Sequence, residues 1–241
     1  KNIYELVENF YSNNFLLPLS NLWQDKLSAY GTWPIPGPKR QDKFFSQYIE
    51  NILDKDKKVF VIVSDALRYE IAEELQRKIT LEDRYTAELE AACSVLPSYT
   101  ALGMAALLPH KNLELTCNNN TVTVSADGLS TLGSAARAKV LASKVPRSSV
   151  LTAEELNSLT RDDGRALFRD NDVVYIYHNT IDATGDDLAS EGKTFEAVEN
   201  AITEIIAMLK RLTGYNVTNI IVTADHGFIY QNRELPNDEF L

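Results

Sequence analysis

The sequence predicts an α/β fold, a mostly parallel sheet flanked by helices, on three observations. In "VFVIVSDALRYEIAEEL", residues 59–75, an apolar and mostly β-branched run gives way to helical periodicity. Such a run suits a strand covered on both faces. "DVVYIYHNTID" and "VTNIIVTADHGF" supply two further buried strands, and "FEAVENAITEIIAMLKRL" between them reads as an amphipathic helix. That strand, helix and strand form a unit whose usual geometry is a right-handed parallel crossover.

Residues 2–30 read as helix, with Ile3, Leu6, Val7 and Phe10 on one face and a second apolar set at Phe15, Leu16, Leu17, Leu22 and Trp23. "GTWPIPGP" then places three prolines and two glycines within eight residues, a rigid connector that no helix interior accommodates. Residues 1–40 are therefore expected to be a helical appendage with a Pro-rich connector, and residues 41–241 the main domain. "DKFFSQYIENILDK" returns to helical periodicity and leads into the first strand. After it, Tyr69, Ala72, Leu75 and Ile79 predict one helix face, with Glu70, Glu73, Glu74 and Arg77 around the other. "LEAACSVLPSYTALGMAALLP" combines small apolar residues with a Pro-Ser-Tyr-Thr turn and a helix from Ala101, at whose N-terminus Thr100 stands. Between residues 111 and 170 the pattern loosens: "LELTCNNNTVTVSADG" resembles a hairpin and "SAARAKVLA" a helix.

The 241 residues are 44% hydrophobic, enough for a substantial core. No apolar run approaches the ~20 residues that cross a bilayer, and the first residues lack the basic start and apolar centre of a signal peptide. Cys93 and Cys117 show neither metal-ligand spacing nor a disulfide framework, which fits a reducing, cytoplasmic setting without a membrane. With 34 acidic against 24 basic side chains and a formal charge of −10, the averaged field repels nucleic acid, so direct DNA binding by this chain alone is not expected. Carboxylates clustered in a cleft are another matter, because hard divalent cations need oxygen ligands.

Each of the three buried strands runs into an aspartate: Asp65, Asp182 and Asp225. In parallel neighbours the carboxyl ends share one edge of the sheet, so the three carboxylates converge there and repel one another unless a cation lies among them. His226 adds a nitrogen ligand beside Asp225, which suits zinc or manganese better than calcium. The plain alternatives are that Ser64 and Asp65 cap the following helix, Thr100 caps its own, Asp182 is a turn residue, and Asp186 and Asp187 form a solvated acidic edge. His178 and His110 read as structural.

The same stretches carry a resemblance. "VFVIVSDALRYEIAEEL", "CSVLPSYTALGMAALLP", "VVYIYHNTIDATGDD" and "VTADHGFIY" are similar, in this order, to the motifs of the PglZ domain. That domain is a branch of the alkaline-phosphatase superfamily found in BREX-type bacteriophage-defence systems. The likeness covers approximately residues 58–235 and implies an alkaline-phosphatase-like sheet. It also implies that Thr100 is the nucleophile that attacks phosphorus, held with Asp65, Asp225 and His226 on one divalent metal. A second metal would be held by Asp182 and Asp186; related enzymes usually have histidine at the latter position, and aspartate there favours manganese or magnesium. A further histidine well downstream completes that second site in related enzymes. This sequence has none after His226, so the 41–241 domain is expected to be C-terminally truncated. Tyr99 and Asn179 are secondary candidates for substrate contacts.

The resulting expectation is a metal-dependent phosphatase or phosphodiesterase using two divalent ions (zinc or manganese, with magnesium as an alternative) on a phosphate ester. Its partners would be other BREX-type defence subunits. The competing reading is a catalytically weak binding and assembly module of the same complex. A receiver-like switch would also use strand-end aspartates, but the Pro-Ser-Tyr-Thr turn and "DHG" do not fit a phosphoaspartyl site.

Overall fold

The computed structural model describes residues 3–82, 84–118, 121–185 and 193–229. It divides into two compact units, and Lys39–Phe228 is the larger. In the smaller unit, α-helical segments Ile3–Asn9 and Leu17–Tyr30 flank a π-helical stretch, Phe10–Leu16. Gly31 ends that run in the left-handed conformation, φ 77°, as glycine does at no steric cost.

The larger unit is built on a four-stranded, all-parallel sheet. Its strands are β1 (Val59–Ser64), β4 (Ser148–Thr152), β5 (Val173–His178) and β6 (Ile220–Thr223), in the spatial order β4, β5, β1, β6. Register pairs Val63 of β1 with Tyr177 of β5 on one side and with Thr223 of β6 on the other. The hairpin that the sequence predicts is present as β2 (Leu113–Asn118) and β3 (Thr121–Ala126), and it belongs to a separate sheet. The architecture is thus α/β, with a parallel sheet flanked by helices.

β1 is buried on both faces because its side chains alternate between two cores. Phe60 and Ile62 pack with helices α1 (Tyr69–Thr80) and α7 (Thr194–Gly214). Val59, Val61 and Val63 face Phe44, Phe45 and Ile49, α2 (Thr100–Ala106) and α3 (Gly133–Lys144). Further helices are α4 (Ala153–Ser158), α5 (Arg161–Asp170) and α6 (Thr180–Gly185), and a 3-10, π and α-helical run, Gln41–Lys43, Phe45–Ile49 and Glu50–Leu53, precedes β1. Among the described residues, no helix is long and apolar enough to cross a membrane.

Four details depart from the sequence reading. β6, expected to be buried, is a half-buried edge strand, because among the described residues only β1 pairs with it. The inward face of α1 is Ile71, Leu75 and Ile79, with Ala72 beside it; Tyr69 is 54% exposed. At 3.6 residues per turn Tyr69 lies about 120° around the helix from Leu75, outside the buried stripe. Its N-cap position is Arg68, so neither Ser64 nor Asp65 caps it. The loosely patterned stretch before residue 170 holds β4, α4 and α5, and both short helices open on capping boxes, Thr152 with Glu155 and Thr160 with Asp163.

Candidate functional site

Because β5, β1 and β6 are parallel neighbours, the residues that leave their carboxyl ends share one edge. Asp65 directly follows β1, Asp225 lies two residues beyond β6, and Asp182 sits in the first turn of α6 just after β5. Asp65 is held by its backbone, whose N–H donates to the carbonyl of His178 at 2.8 Å. The next residue, Ala66, has φ +62°, a left-handed conformation that costs a non-glycine residue about 1 kcal/mol or more. This turn aims the Ala66 N–H at Asp225 Oδ1, 3.3 Å away.

Asp225 is fully buried, and two elements distant in sequence hold its backbone. Gln41 Nε2 donates to the carbonyls of Ala224 and Asp225 at 3.0 and 2.5 Å, while its Oε1 accepts from the Val95 N–H at 3.0 Å. Gly103 of α2 lies so close that a Cβ there would fall 2.3 Å from the Asp225 carbonyl oxygen. That approach brings Thr100, at the start of α2, to His226: Thr100 Oγ1 is 3.0 Å from His226 Nε2.

His226 orients the centre. Its Nδ1–H donates to the Gly227 carbonyl at 2.8 Å, which leaves Nε2 facing the carboxylates, the arrangement in which one ring nitrogen is anchored and the other ligates. Nε2 is 3.3 Å from Asp65 Oδ1, 3.5 Å from Asp225 Oδ2 and 4.0 Å from Asp182 Oδ1. Among the described residues, Asp65 Oδ1 and Asp225 Oδ2 are buried without a hydrogen bond. Ligand atoms of Asp65, Asp182 and His226 lie within 4.8 Å of one another. One imidazole cannot satisfy several converging carboxylates, and buried acceptors without donors are costly. The donor set therefore fits a divalent cation, with oxygen and one nitrogen as ligands.

The electrostatics agree. Burial, and then the charge of Asp225, push the Asp65 carboxyl up to about 7, against the opposing effects of His226 and Arg137. Burial likewise raises Asp225, although His226 and several hydrogen bonds oppose it. Burial alone would lower His226, but the Gly227 carbonyl and the charges of Asp225, Asp65 and Asp182 together raise it. Without a cation, protons take up part of the negative charge.

Thus the structure brings together Asp65, Thr100, Asp225 and His226. It also brings Asp182 to their border, where the resemblance implies a separate site with Asp186. Asp186 lies outside the described residues. Asn179 is exposed between β5 and α6, and the Tyr99 ring packs against Leu102, Ala105 and Val124. His110 donates from Nδ1 to the Leu108 carbonyl at 2.7 Å, a structural contact.

Three contributors escape sequence reasoning. Gly103 left a trace, a glycine inside an apolar helical run. Gln41 left none. Arg137 on α3 lies over the Tyr177 ring, 4.9 Å from its centroid, and donates from Nε to the Thr131 carbonyl at 3.0 Å, supplying a positive charge that acts on Asp65. A cavity of about 310 Å³ adjoins the centre, bordered by Gln41, Arg68, Tyr69, Asp225, His226 and Gly227 among others.

The family model for the BREX system PglZ alkaline phosphatase-like domain matches residues 44–240. The chain is 46% identical over 244 residues to the alkaline phosphatase-like protein BrxZ of Escherichia coli O9:H4 (strain HS), covering 98% of this chain and 28% of that protein. It is 38% identical over 231 residues to the alkaline phosphatase-like protein PglZ of Bacillus cereus (strain H3081.97), covering 95% of this chain and 27% of that one. The chain spans little more than a quarter of the length of these curated relatives.

Proposed function

Because the chain belongs to the BREX-system PglZ family of alkaline phosphatase-like domains, we propose that its strand-end centre is the metal-binding part of a phosphate-ester hydrolase. The hydrolase, a phosphatase or phosphodiesterase, would act in bacteriophage defence within the cytoplasm. The observation that carries this reading is the Thr100 hydroxyl, 3.0 Å from His226 Nε2 and surrounded by carboxylates with unmet acceptors. Asp65, Asp225, His226 and Thr100 would hold one divalent cation, and Asp182 with Asp186 a second. When bound, such cations supply Lewis acidity and positive charge for phosphoryl transfer.

Each side chain then has a task. Thr100 is the nucleophile, and α2 fixes its hydroxyl from the first helical position. In the cation-free centre His226 Nε2 accepts a hydrogen bond from the Thr100 hydroxyl, with Gly227 holding the ring. Asp65 and Asp225, nearly dry, present charge that a cation offsets. Arg137 favours the ionised form of Asp65. The net charge of −10 argues against this chain gathering DNA by itself, so other subunits of the defence system would present a nucleic-acid substrate if that is the ester.

The test is Thr100→Ala in the full-length protein, assayed with manganese or zinc on generic phosphomonoesters and phosphodiesters. Hydrolysis should fall on the order of 10³-fold or more with the fold retained, since the change removes an attacking oxygen. Turnover at the parental rate would refute the role of Thr100. A wild-type protein that binds cations but hydrolyses no ester would favour the assembly-module reading.

A further inference from the structure

Beside the centre lies a second hydrogen-bonded cluster, made of Ser64, His178, Thr180 and Glu204. His178 is buried, its side chain only 2% exposed, at the last position of β5. Its Nε2 is 2.7 Å from Glu204 Oε2 on α7 and its Nδ1 is 3.0 Å from Ser64 Oγ at the end of β1. A carboxylate only accepts, so Nε2 carries the proton and donates to Glu204. Nδ1 then accepts from the Ser64 hydroxyl. Thr180 Oγ1 donates to the same Glu204 oxygen at 2.5 Å. Serine, histidine and glutamate in this order have the connectivity of a hydrolytic triad. Ser64 is 0% exposed, however, so no substrate reaches its oxygen.

The cluster does something else. Ser64 is joined by a peptide bond to Asp65, whose own N–H donates to the His178 carbonyl at 2.8 Å. Thr180 opens α6, and Asp182 lies in the first turn of that helix. We propose that His178 and Glu204 are positioning residues: by holding Ser64 on one side and Thr180 on the other, they set the spacing between the carboxylates of Asp65 and Asp182. The chain runs from the Ser64 hydroxyl through the imidazole to the Glu204 carboxylate and back to the Thr180 hydroxyl, so one anchor on α7 serves two strand ends. Supporting contacts of this kind hold metal ligands in place, and their loss typically weakens affinity about 10–100-fold. Glu204 is 49% exposed on its side chain, so its removal need not disrupt the core. The inference rests on the proposed cation-binding role of the centre.

The experiment is a manganese titration of the metal-free, full-length protein by calorimetry, with thermal unfolding in chelator as a second readout. Glu204→Ala should weaken manganese binding about 10–100-fold while moving the metal-free melting temperature by no more than about 4 °C. Glu204→Gln, which keeps one acceptor oxygen, should restore most of the affinity. Thr180→Val, which removes a single donor and preserves shape, should weaken binding a few-fold, and it decides the matter if Glu204→Ala fails to fold. A lowered melting temperature with unchanged manganese affinity in Glu204→Ala or Thr180→Val would overturn the positioning role while leaving the metal centre standing. Absence of manganese binding in the wild type would overturn both.

Discussion

Gly103→Ala tests whether the approach of α2 to Asp225 assembles the centre. An alanine Cβ would lie 2.3 Å from the Asp225 carbonyl oxygen, 2.7 Å from its carbon and 3.0 Å from its Cα. Ordinary van der Waals contact begins near 3.4 Å, so the two backbones must part by roughly 1 Å, and no flexible side chain is there to yield. A displacement of that size would stretch the 3.0 Å contact between Thr100 and His226 towards 4 Å, beyond hydrogen-bond range. Overpacking costs about 1–3 kcal/mol, offset by the ~1 kcal/mol by which alanine favours a helix over glycine. A net loss of up to about 2 kcal/mol in the metal-free protein is therefore expected. The functional loss should be larger, since misplacing reacting groups by about 1 Å can cost 10²-fold. Gly214→Ala, at the end of α7 with nothing within 4 Å, is the control. Denaturant unfolding and a manganese-dependent hydrolysis assay on the full-length protein provide the two readouts. A Gly103→Ala protein as stable and as active as the wild type would refute the reasoning.

Two other outcomes follow from the same geometry. The Asp65 carboxyl, at about 7 against an ordinary 3.8, makes the folded chain bind a proton that the unfolded chain has already released. Its contribution to metal-free stability is then full below about pH 4 and lost as pH rises to about 7. Asp65→Asn should remove that fall, read as the difference between the two unfolding profiles in chelator, and parallel profiles would contradict it. Gln41→Ala should cost about 2–3 kcal/mol in denaturant unfolding, because it leaves the Val95 N–H and the Asp225 carbonyl unpaired next to the core; a change under about 0.5 kcal/mol would show that water replaces the amide.

β1 and β5 and the aspartates that follow them were legible because a strand buried on both faces must be apolar throughout, and polarity resumes where it ends. β6, expected to be buried, is a half-buried edge strand, and only its unbroken Ile220-Ile221-Val222 run marked it. β4 was not legible, since "SSVLT" is a half-buried edge strand without a continuous apolar run, although the two capping boxes behind it were written in the chain. The inward face of α1 was misread at its start because six residues of 3.6-residue helix carry Tyr69 about 120° away from Leu75, while Ile71, Leu75 and Ile79 stay on one face, and the three residues of loop after Asp65 were invisible to periodicity. Within the centre, the types and order of Asp65, Thr100, Asp182, Asp225 and His226 could be read from motifs. Their supports could not. Gln41 acts on a backbone 184 positions away, and the role of Glu204 depends on α7 lying against the end of β5.

The most direct measurement is anomalous scattering from crystals of this chain grown with manganese or zinc. A strong peak bounded by Asp65, Thr100, Asp225 and His226 is predicted, with any second, weaker peak on the side of Asp182. Strong metal density only around Asp182, with none at Asp65 and His226, would contradict the assignment of Thr100 to a cation-bound centre.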